Sequence, residues 1–432
     1  MEKLNKLVLV FKNYGILGSL KKIYNYLNIH YFSKYNVFEY IYTLFVYQKI
    51  KKSLKEIILN NSYDRIIIWR SSFGWNVPLY QRPQHIAKNF ANNNCLVFYE
   101  ITTITDKVKN YKKIQDNLYL INFNNSAMKK LLFSELKNIN KPKYIQFYSI
   151  DKTLSLNNVK QFITDGYKII YEYIDDLSPQ LVGTVDLPIN IKEKYEYMLE
   201  DTKNIFTVVT ADEIKKDVVS KRGTEKLVFS CNGVDYDHFN KVDKNFVYDK
   251  KFLSIINEKK PIIGYYGALA SWFDYEMIKY LAKNRPNYNI VLLGIKYDDS
   301  FDRANLEQYN NIYFLGSKDY NILPNYACKF DICTIPFLIN DITQSTSPLK
   351  LFEYMALGKP IVTTAMNECK KYKSVMIANN KEEFIKLVDK ALSISKKHNE
   401  DYYTLLKKEA LENTWKEKAE IIINLLKKYE EK

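Results

Sequence analysis

The chain has 432 residues, 47% of them hydrophobic and 26% charged, with a formal net charge of +15. This length allows two or three domains with large cores, and the balance excludes a disordered or fibrous chain. The positive charge suits an anionic partner, but no zinc-finger spacing, RNA-binding aromatic motif or basic heptad accompanies it, so nucleic acid is not expected. No apolar run reaches the roughly 18 residues of a membrane span, and no targeting segment is expected. The five cysteines, Cys95, Cys231, Cys328, Cys333 and Cys369, are odd in number and scattered. They read as reduced thiols of a cytoplasmic protein, without a metal role.

Residues 1–61 read as a basic helical extension. The first 60 hold ten lysines against Glu2, Glu39 and Glu56. Val37, Ile41, Leu44, Phe45, Leu54 and Ile58 recur at helical spacing. Two readings stand. The helices can pack on the following domain with the lysines solvating their outer face. Alternatively Lys49, Lys51, Lys52 and Lys55, with Tyr40, Phe45 and Tyr47 just before them, can meet an anionic membrane from its inner side, as interfacial helices do.

From Asp64 short apolar runs rich in β-branched and aromatic residues predict strands at 65–69, 95–99, 118–121, 144–148, 168–174, 205–209 and 226–230. Helical stretches at 83–91, 192–199 and 211–221 lie among them. That alternation predicts a doubly wound parallel sheet over 62–245. After a polar stretch near 243–250 the pattern restarts over 246–412, with strands at 261–266, 290–293, 312–315, 332–336, 361–364 and 375–378 and a helix at 381–394. A last helix, at about 414–429 within 413–432, carries Trp415, Ala419, Ile422, Ile423 and Leu426 on one side.

Several motifs carry chemistry. Gln81-Arg82-Pro83-Gln84-His85 opens a helix whose buried face is Ile86 and Phe90. Topology points Gln81 and Arg82 into a cleft; the plain alternative is an arginine on a solvated helix end. His85 reads as a packing residue behind them. Asp175 and Asp176 end a central strand. Either can orient an acceptor hydroxyl or take its proton, or both can cap the next helix. Asn232-Gly233-Val234-Asp235 reads as a turn between the halves, and His238 as structural. Gly267 and Ala268 close the first strand of the second half, where a glycine lets a ligand approach the backbone.

The stretch from Ser345 to Pro360 is the most informative. Ser347 suits a helix cap, Pro348 the first helical position, and Leu349, Phe352 and Ala356 an apolar stripe. Gly358 and Pro360 stop the helix. Lys350 is out of place, because a cation in the first turn opposes the helix dipole by roughly 0.3–1 kcal/mol. A bound anion at that N-terminus reverses the sign. Glu353 can accept hydrogen bonds from a sugar diol. The plain alternative is a surface ion pair between Lys350 and Glu353.

This last segment resembles the donor-site signature of retaining glycosyltransferases of the GT-B fold, family four in the sequence classification. The resemblance implies two Rossmann-like domains facing a cleft, with the terminal helix returning to the first. It implies a donor site of Gly267, Ala268, Thr346, Ser347, Pro348, Leu349, Lys350 and Glu353, in which Lys350 and the helix hold the diphosphate and Glu353 the ribose. Lys350, Asp175 and Asp176 are then the catalytic candidates, and Gln81, Arg82 and His85 the acceptor side. The 81–85 segment resembles teichuronic-acid-type glycosyltransferases, and Ser271-Trp272-Phe273-Asp274 those of surface polysaccharides. The expected activity is transfer of a sugar from a nucleotide-diphosphate donor to a glycan or lipid-linked acceptor, with no metal and no cofactor. The chain departs from the pattern at Ser345, where the family often has a second glutamate. It also lacks a histidine after a central strand of the first domain: its histidines are His30, His85, His238 and His398. Two rivals therefore stand, a nucleotide-sugar epimerase of the same architecture and a non-catalytic relative acting as a binding subunit.

Overall fold

A computed structural model describes residues 37–71, 74–77, 80–101, 106–179, 184, 186–397 and 399–430. Residues 1–36 of the expected extension, His30, His398 and the last two residues of the terminal segment lie outside them. The chain divides into two compact units.

One unit holds the described residues up to 77, with 90–146 and 164–167. Its strands are β1 (Arg65–Trp69), β2 (Cys95–Glu100), β3 (Tyr111–Gln115), β4 (Leu118–Ile121) and the start of β5 (Lys143–Tyr148). They lie in the order β3-β4-β2-β1-β5. All pairings are parallel except β3 with β4. The sequence reading missed β3: Lys112 and Lys113 break its apolar pattern. Charged residues of this kind are common on an edge strand, which must resist further pairing.

The helices Val37–Phe45 and Tyr47–Asn60 precede β1 and pack on the helix Ser126–Leu136. Ile50, Leu54 and Ile58 are buried, and the Thr43 hydroxyl donates to Asn110 Oδ1 at 2.9 Å. Lys51 and Lys55 reach Glu135 at 3.7 and 4.0 Å. One face of the extension is therefore a packing face. The other leaves Tyr40, Ile41, Tyr42, Leu44 and Phe45 exposed, Phe45 at 86%, with Lys49 and Lys52 exposed after them.

The second unit holds 78–89, 147–163 and 168–432 within the described residues. The strands β6 (Lys168–Tyr173), β7 (Ile205–Val209) and β8 (Leu227–Phe229) run parallel side by side. Six more make a wholly parallel sheet: β9 (Ile262–Tyr266), β10 (Asn289–Leu293), β11 (Ile312–Phe314), β12 (Ile332–Ile335), β13 (Ile361–Thr364) and β14 (Val375–Ala378). Their order is β11-β10-β9-β12-β13-β14. The central four are buried along their whole length, as a parallel sheet covered on both faces requires.

The segment after β8 is not the turn expected from Asn232-Gly233. It runs extended beside residues 413–415: Val234 N–H donates to Asn413 O at 2.9 Å, and Trp415 N–H to Val234 O at 3.0 Å. The glycine is needed because a Cβ on Gly233 would lie 2.7 Å from Asn413 O. The helix Trp415–Glu430 then lies along β8, where the Ser230 hydroxyl donates to Lys418 O at 3.0 Å.

Candidate functional site

The helix Leu349–Ala356 follows β12 and a short turn of helix, Asp341–Gln344, closed by reciprocal bonds between Asn340 and Thr343. Thr346 donates its hydroxyl to Ile342 O at 2.7 Å. Ser347 does not cap the next helix as its sequence position suggests. Its Oγ accepts the Asn232 N–H at 3.3 Å, and its carbonyl accepts Asn232 Nδ2 at 2.7 Å. The N-cap residue is Pro348, which offers no side-chain acceptor. A tertiary contact thus overrides local capping preference, and the first N–H groups of the helix have no side-chain partner. Gly358 ends the helix with φ +63°, as expected.

Lys350 folds back from the first turn toward the end of β9. Gly267 has φ +141°, and a Cβ there would lie 2.8 Å from Lys350 Cε. That glycine makes room for the lysine as well as exposing its own backbone. The ammonium sits 4.7 Å from the Phe337 ring centroid and 5.4 Å from that of Tyr265. Burial lowers its pKa to about 8, against the pull of Glu353 and Cys369. Among the described residues no carboxylate lies within ion-pair distance of it.

Glu353 is not on a surface. It is 4% exposed, and burial pushes its pKa up to about 8 while Tyr266 and Lys350 pull it down. Lys350 and Glu353, both shifted by burial, thus stand in the first two turns of a helix whose N-cap has no side-chain hydrogen bond. A bound phosphate would restore the charge that burial takes from Lys350 and would meet the positive end of the helix dipole. Tyr320 belongs to this neighbourhood and was not legible in the sequence. Its hydroxyl is buried, and burial together with Glu353 raises its pKa.

Asp175 and Asp176 follow β6. Burial, then Asp176, raises the Asp175 carboxyl to about 6, while Arg82 pulls it down. Asp176 is raised too, by burial and by Asp341 and Asp217, against a hydrogen bond from the Leu177 N–H. A cavity of about 450 Å³ opens beside Asp176, walled by Tyr173, Lys192, Tyr195, Glu213 and Ser345 among others. Ser345 therefore lines the same cavity as the Asp176 carboxylate. Among the described residues no three His, Cys, Asp or Glu side chains converge as a metal site, and all five cysteines are free.

The expected acceptor residues need correction. Arg82 is 3% exposed. Its Nε donates to Glu172 at 2.7 Å and its Nη1 to Cys231 O at 3.1 Å. Glu172 is wholly buried, so the guanidinium is drawn inward as its counter-ion. His85 is buried as well, stacked 4.9 Å from Trp415 and edge-on to Tyr80 and Tyr320. Of the three, Gln81 alone keeps partial exposure, and its N–H donates to Gln84 Oε1 at 3.2 Å. Arg82→Lys keeps a charge for Glu172 but loses the fork to Cys231. It is expected to lower stability by about 1–3 kcal/mol with nucleotide affinity unchanged, as read by urea unfolding and calorimetry.

Residues 260–393 match the family described as Glycosyl transferases group 1. They form a group 1 glycosyl transferase domain. TuaH of Bacillus subtilis (strain 168), named as a teichuronic acid biosynthesis glycosyltransferase, is 30% identical over 167 residues, 38% of this chain. That match spans 41% of the relative's length. Anabaena HepE (Alr3699), solved in complex with UDP and glucose, superposes with a TM-score of 0.59 at 11% identity, covering 84% of this chain and 99% of that one. A glycosyltransferase of Rickettsia africae gives 0.56 at 16% identity, covering 85% and 99%. At such identities the likeness shows the fold, which is GT-B.

Proposed function

We propose that the protein is a glycosyltransferase that moves a sugar from a nucleoside-diphosphate donor to a glycan or lipid-linked acceptor, with retention of configuration. The observation that carries this reading is the uncapped N-terminus of Leu349–Ala356 with Lys350 folded beside it against Gly267. In this reading the diphosphate lies on Lys350 and the N–H groups of Leu349 and Lys350, with the backbone of Gly267 and Ala268 close by. Glu353 takes the ribose diol. When the bond from the anomeric carbon to the β-phosphate oxygen breaks, the electron pair leaves on the diphosphate. Lys350 and the helix dipole stabilise that charge, which is commonly the largest catalytic contribution. Asp175 and Asp176 orient the acceptor hydroxyl and take its proton. The UDP bound in HepE and the name of TuaH support a UDP-sugar donor and a role in surface polysaccharide synthesis. The test is release of nucleoside diphosphate from a panel of nucleotide sugars, with and without glycan and lipid-linked acceptors. Release that requires acceptor supports transfer; release of nucleotide with an altered free sugar in its absence identifies an epimerase.

The same reading puts the enzyme at the inner face of an anionic membrane. Exposed Phe45, Leu44 and Tyr42 beside exposed Lys49 and Lys52 combine the two interactions that hold interfacial helices. No helix among the described residues is long and apolar enough to cross a membrane. Each lysine near an anionic surface contributes about 1 kcal/mol, and Lys51 and Lys55 contribute less because Glu135 already holds them. The double change Lys49→Gln and Lys52→Gln is therefore expected to release most of the protein from phosphatidylserine vesicles in sedimentation at low salt. Adding Lys51→Gln and Lys55→Gln should add little. Equal pelleting of wild type and all variants excludes the proposal.

A further inference from the structure

The cavity beside Asp176 is built largely from two helix faces. Glu213, Asp217 and Lys221 recur every four residues along Asp212–Arg222, and Lys192, Tyr195 and Glu196 share a face of Ile189–Glu200. Both lysines of the wall are already engaged. Lys221 donates to the Tyr195 hydroxyl at 2.8 Å and pairs with Asp217 at 2.6 Å, and the Tyr195 hydroxyl donates to Asp217 in turn. Lys192 lies 4.0 Å from Glu196. Glu213 is met at 2.7 Å by Lys216, which is not part of the wall. The wall thus carries four carboxylates, of Asp176, Glu196, Glu213 and Asp217, against two ammonium groups. Tyr173 enters it from the end of β6. This tyrosine is 5% exposed, its ring packs edge-on to Tyr195 at 5.6 Å, and its hydroxyl makes no hydrogen bond among the described residues. A hydroxyl so placed lacks the partner that a ligand supplies. Leu177, Leu187 and Ile214 add an apolar side. The volume, about 450 Å³, falls within the roughly 300–1,000 Å³ of ligand pockets.

We propose that this cavity is the acceptor subsite and that it takes an uncharged sugar residue, so that the enzyme extends a sugar already in place and does not start a chain on a lipid phosphate. This rests on the transferase reading above. A surplus of carboxylate acceptors, one unpartnered tyrosine hydroxyl and an apolar side match a ligand with many hydroxyl donors and no negative charge. A phosphate or a uronate carboxylate in the same place meets like charge, with every ammonium of the wall already paired. The Asp176 carboxylate then lies beside the acceptor hydroxyls, and Ser345 brings the segment leading to Lys350 to the same cavity. The preceding reaction is therefore one that attaches a first sugar to the carrier.

The test uses the full chain with the nucleotide sugar it consumes fastest. Octyl glucoside, octyl N-acetylglucosaminide and octyl galactoside are compared with octyl glucuronide and polyprenyl phosphate as acceptors. The best neutral glycoside should be used at least about tenfold better, by kcat/KM, than either anionic acceptor. Glu196→Gln with Glu213→Gln, two side chains that solvent reaches, should narrow that preference to about threefold or less. Tyr173→Phe should raise KM for the neutral glycoside about tenfold and leave the donor KM within about twofold. It should melt no lower than wild type, because the hydroxyl it removes has no partner inside the protein. Equal or better use of the glucuronide or polyprenyl phosphate, a preference that the double variant leaves unchanged, or an unchanged acceptor KM in Tyr173→Phe overturns the proposal and leaves the transferase reading standing. If no nucleotide sugar is consumed with any of the five acceptors, or consumption does not depend on acceptor, the transferase reading fails and this proposal with it.

Discussion

Asp175→Asn is expected to slow sugar transfer by about 10²–10⁴-fold, the usual contribution of a positioned proton acceptor, while donor affinity stays within about twofold. The pH profile carries the specific signature. With its carboxyl raised to about 6 by burial and by Asp176, Asp175 is ionised and able to accept a proton above that pH. The wild-type rate should therefore rise about tenfold per pH unit below about 6 and level off above it, and the asparagine variant should lose that limb. Stability moves the other way. The folded pKa lies above the ordinary 3.8, so Asp175 favours the folded state most at low pH, and that contribution is lost as pH rises through about 6. At pH 7 the asparagine variant should be no less stable than wild type. An Asp175→Asn enzyme that transfers sugar at the wild-type rate with an unchanged acid limb would show these aspartates to be structural.

Lys350→Met should lower turnover by about 10²–10³-fold, the effect of removing one charge-stabilising donor at a leaving group, and should weaken nucleotide binding about tenfold or more. Methionine keeps the stem's packing against the Phe337 and Tyr265 rings, so the loss reports on the charge. The sign of the stability change separates function from folding. Burial lowers Lys350 from 10.5 to about 8. The folded protein therefore loses stability as pH falls from about 10.5 to about 8, and does not regain it below. At pH 7 Lys350→Met should melt no lower than wild type, and raising the donor concentration in turnover assays should not rescue it, since stabilisation of the leaving group is lost as well. A variant that is less stable yet turns over normally would mark Lys350 as a packing residue. Glu353→Gln, the same shape with an amide in place of the carboxyl, should cost about tenfold in nucleotide affinity and leave turnover at saturating donor less affected.

Much of the fold was legible because its strands are short, apolar and β-branched. β1, β4, β7, β13 and β14 have the bounds that hydrophobic runs predict. β3 was not legible, since an edge strand rich in lysine lacks that pattern. At the site, the Lys350 anomaly and the Gly267 turn were each visible, but not that one makes room for the other, because the contact joins residues 83 positions apart in sequence. Ser347 was misread for a related reason. Capping preference is local, whereas the bond that overrides it comes from Asn232. Arg82 was placed at a ligand because it opens a helix, and the buried Glu172 that turns it inward lies on a different strand. Tyr320 gave no signal: it stands in a loop without a motif, and only folding brings it near Glu353.

The most direct test of the central claim compares nucleoside diphosphates with the matching monophosphates by calorimetry, on wild type and Lys350→Met. A diphosphate held by Lys350 and the helix N-terminus should bind wild type at least about tenfold more tightly than the monophosphate, and that difference should collapse in the variant. Equal affinity for the two nucleotides in wild type, or an undiminished preference for diphosphate in Lys350→Met, would contradict the account.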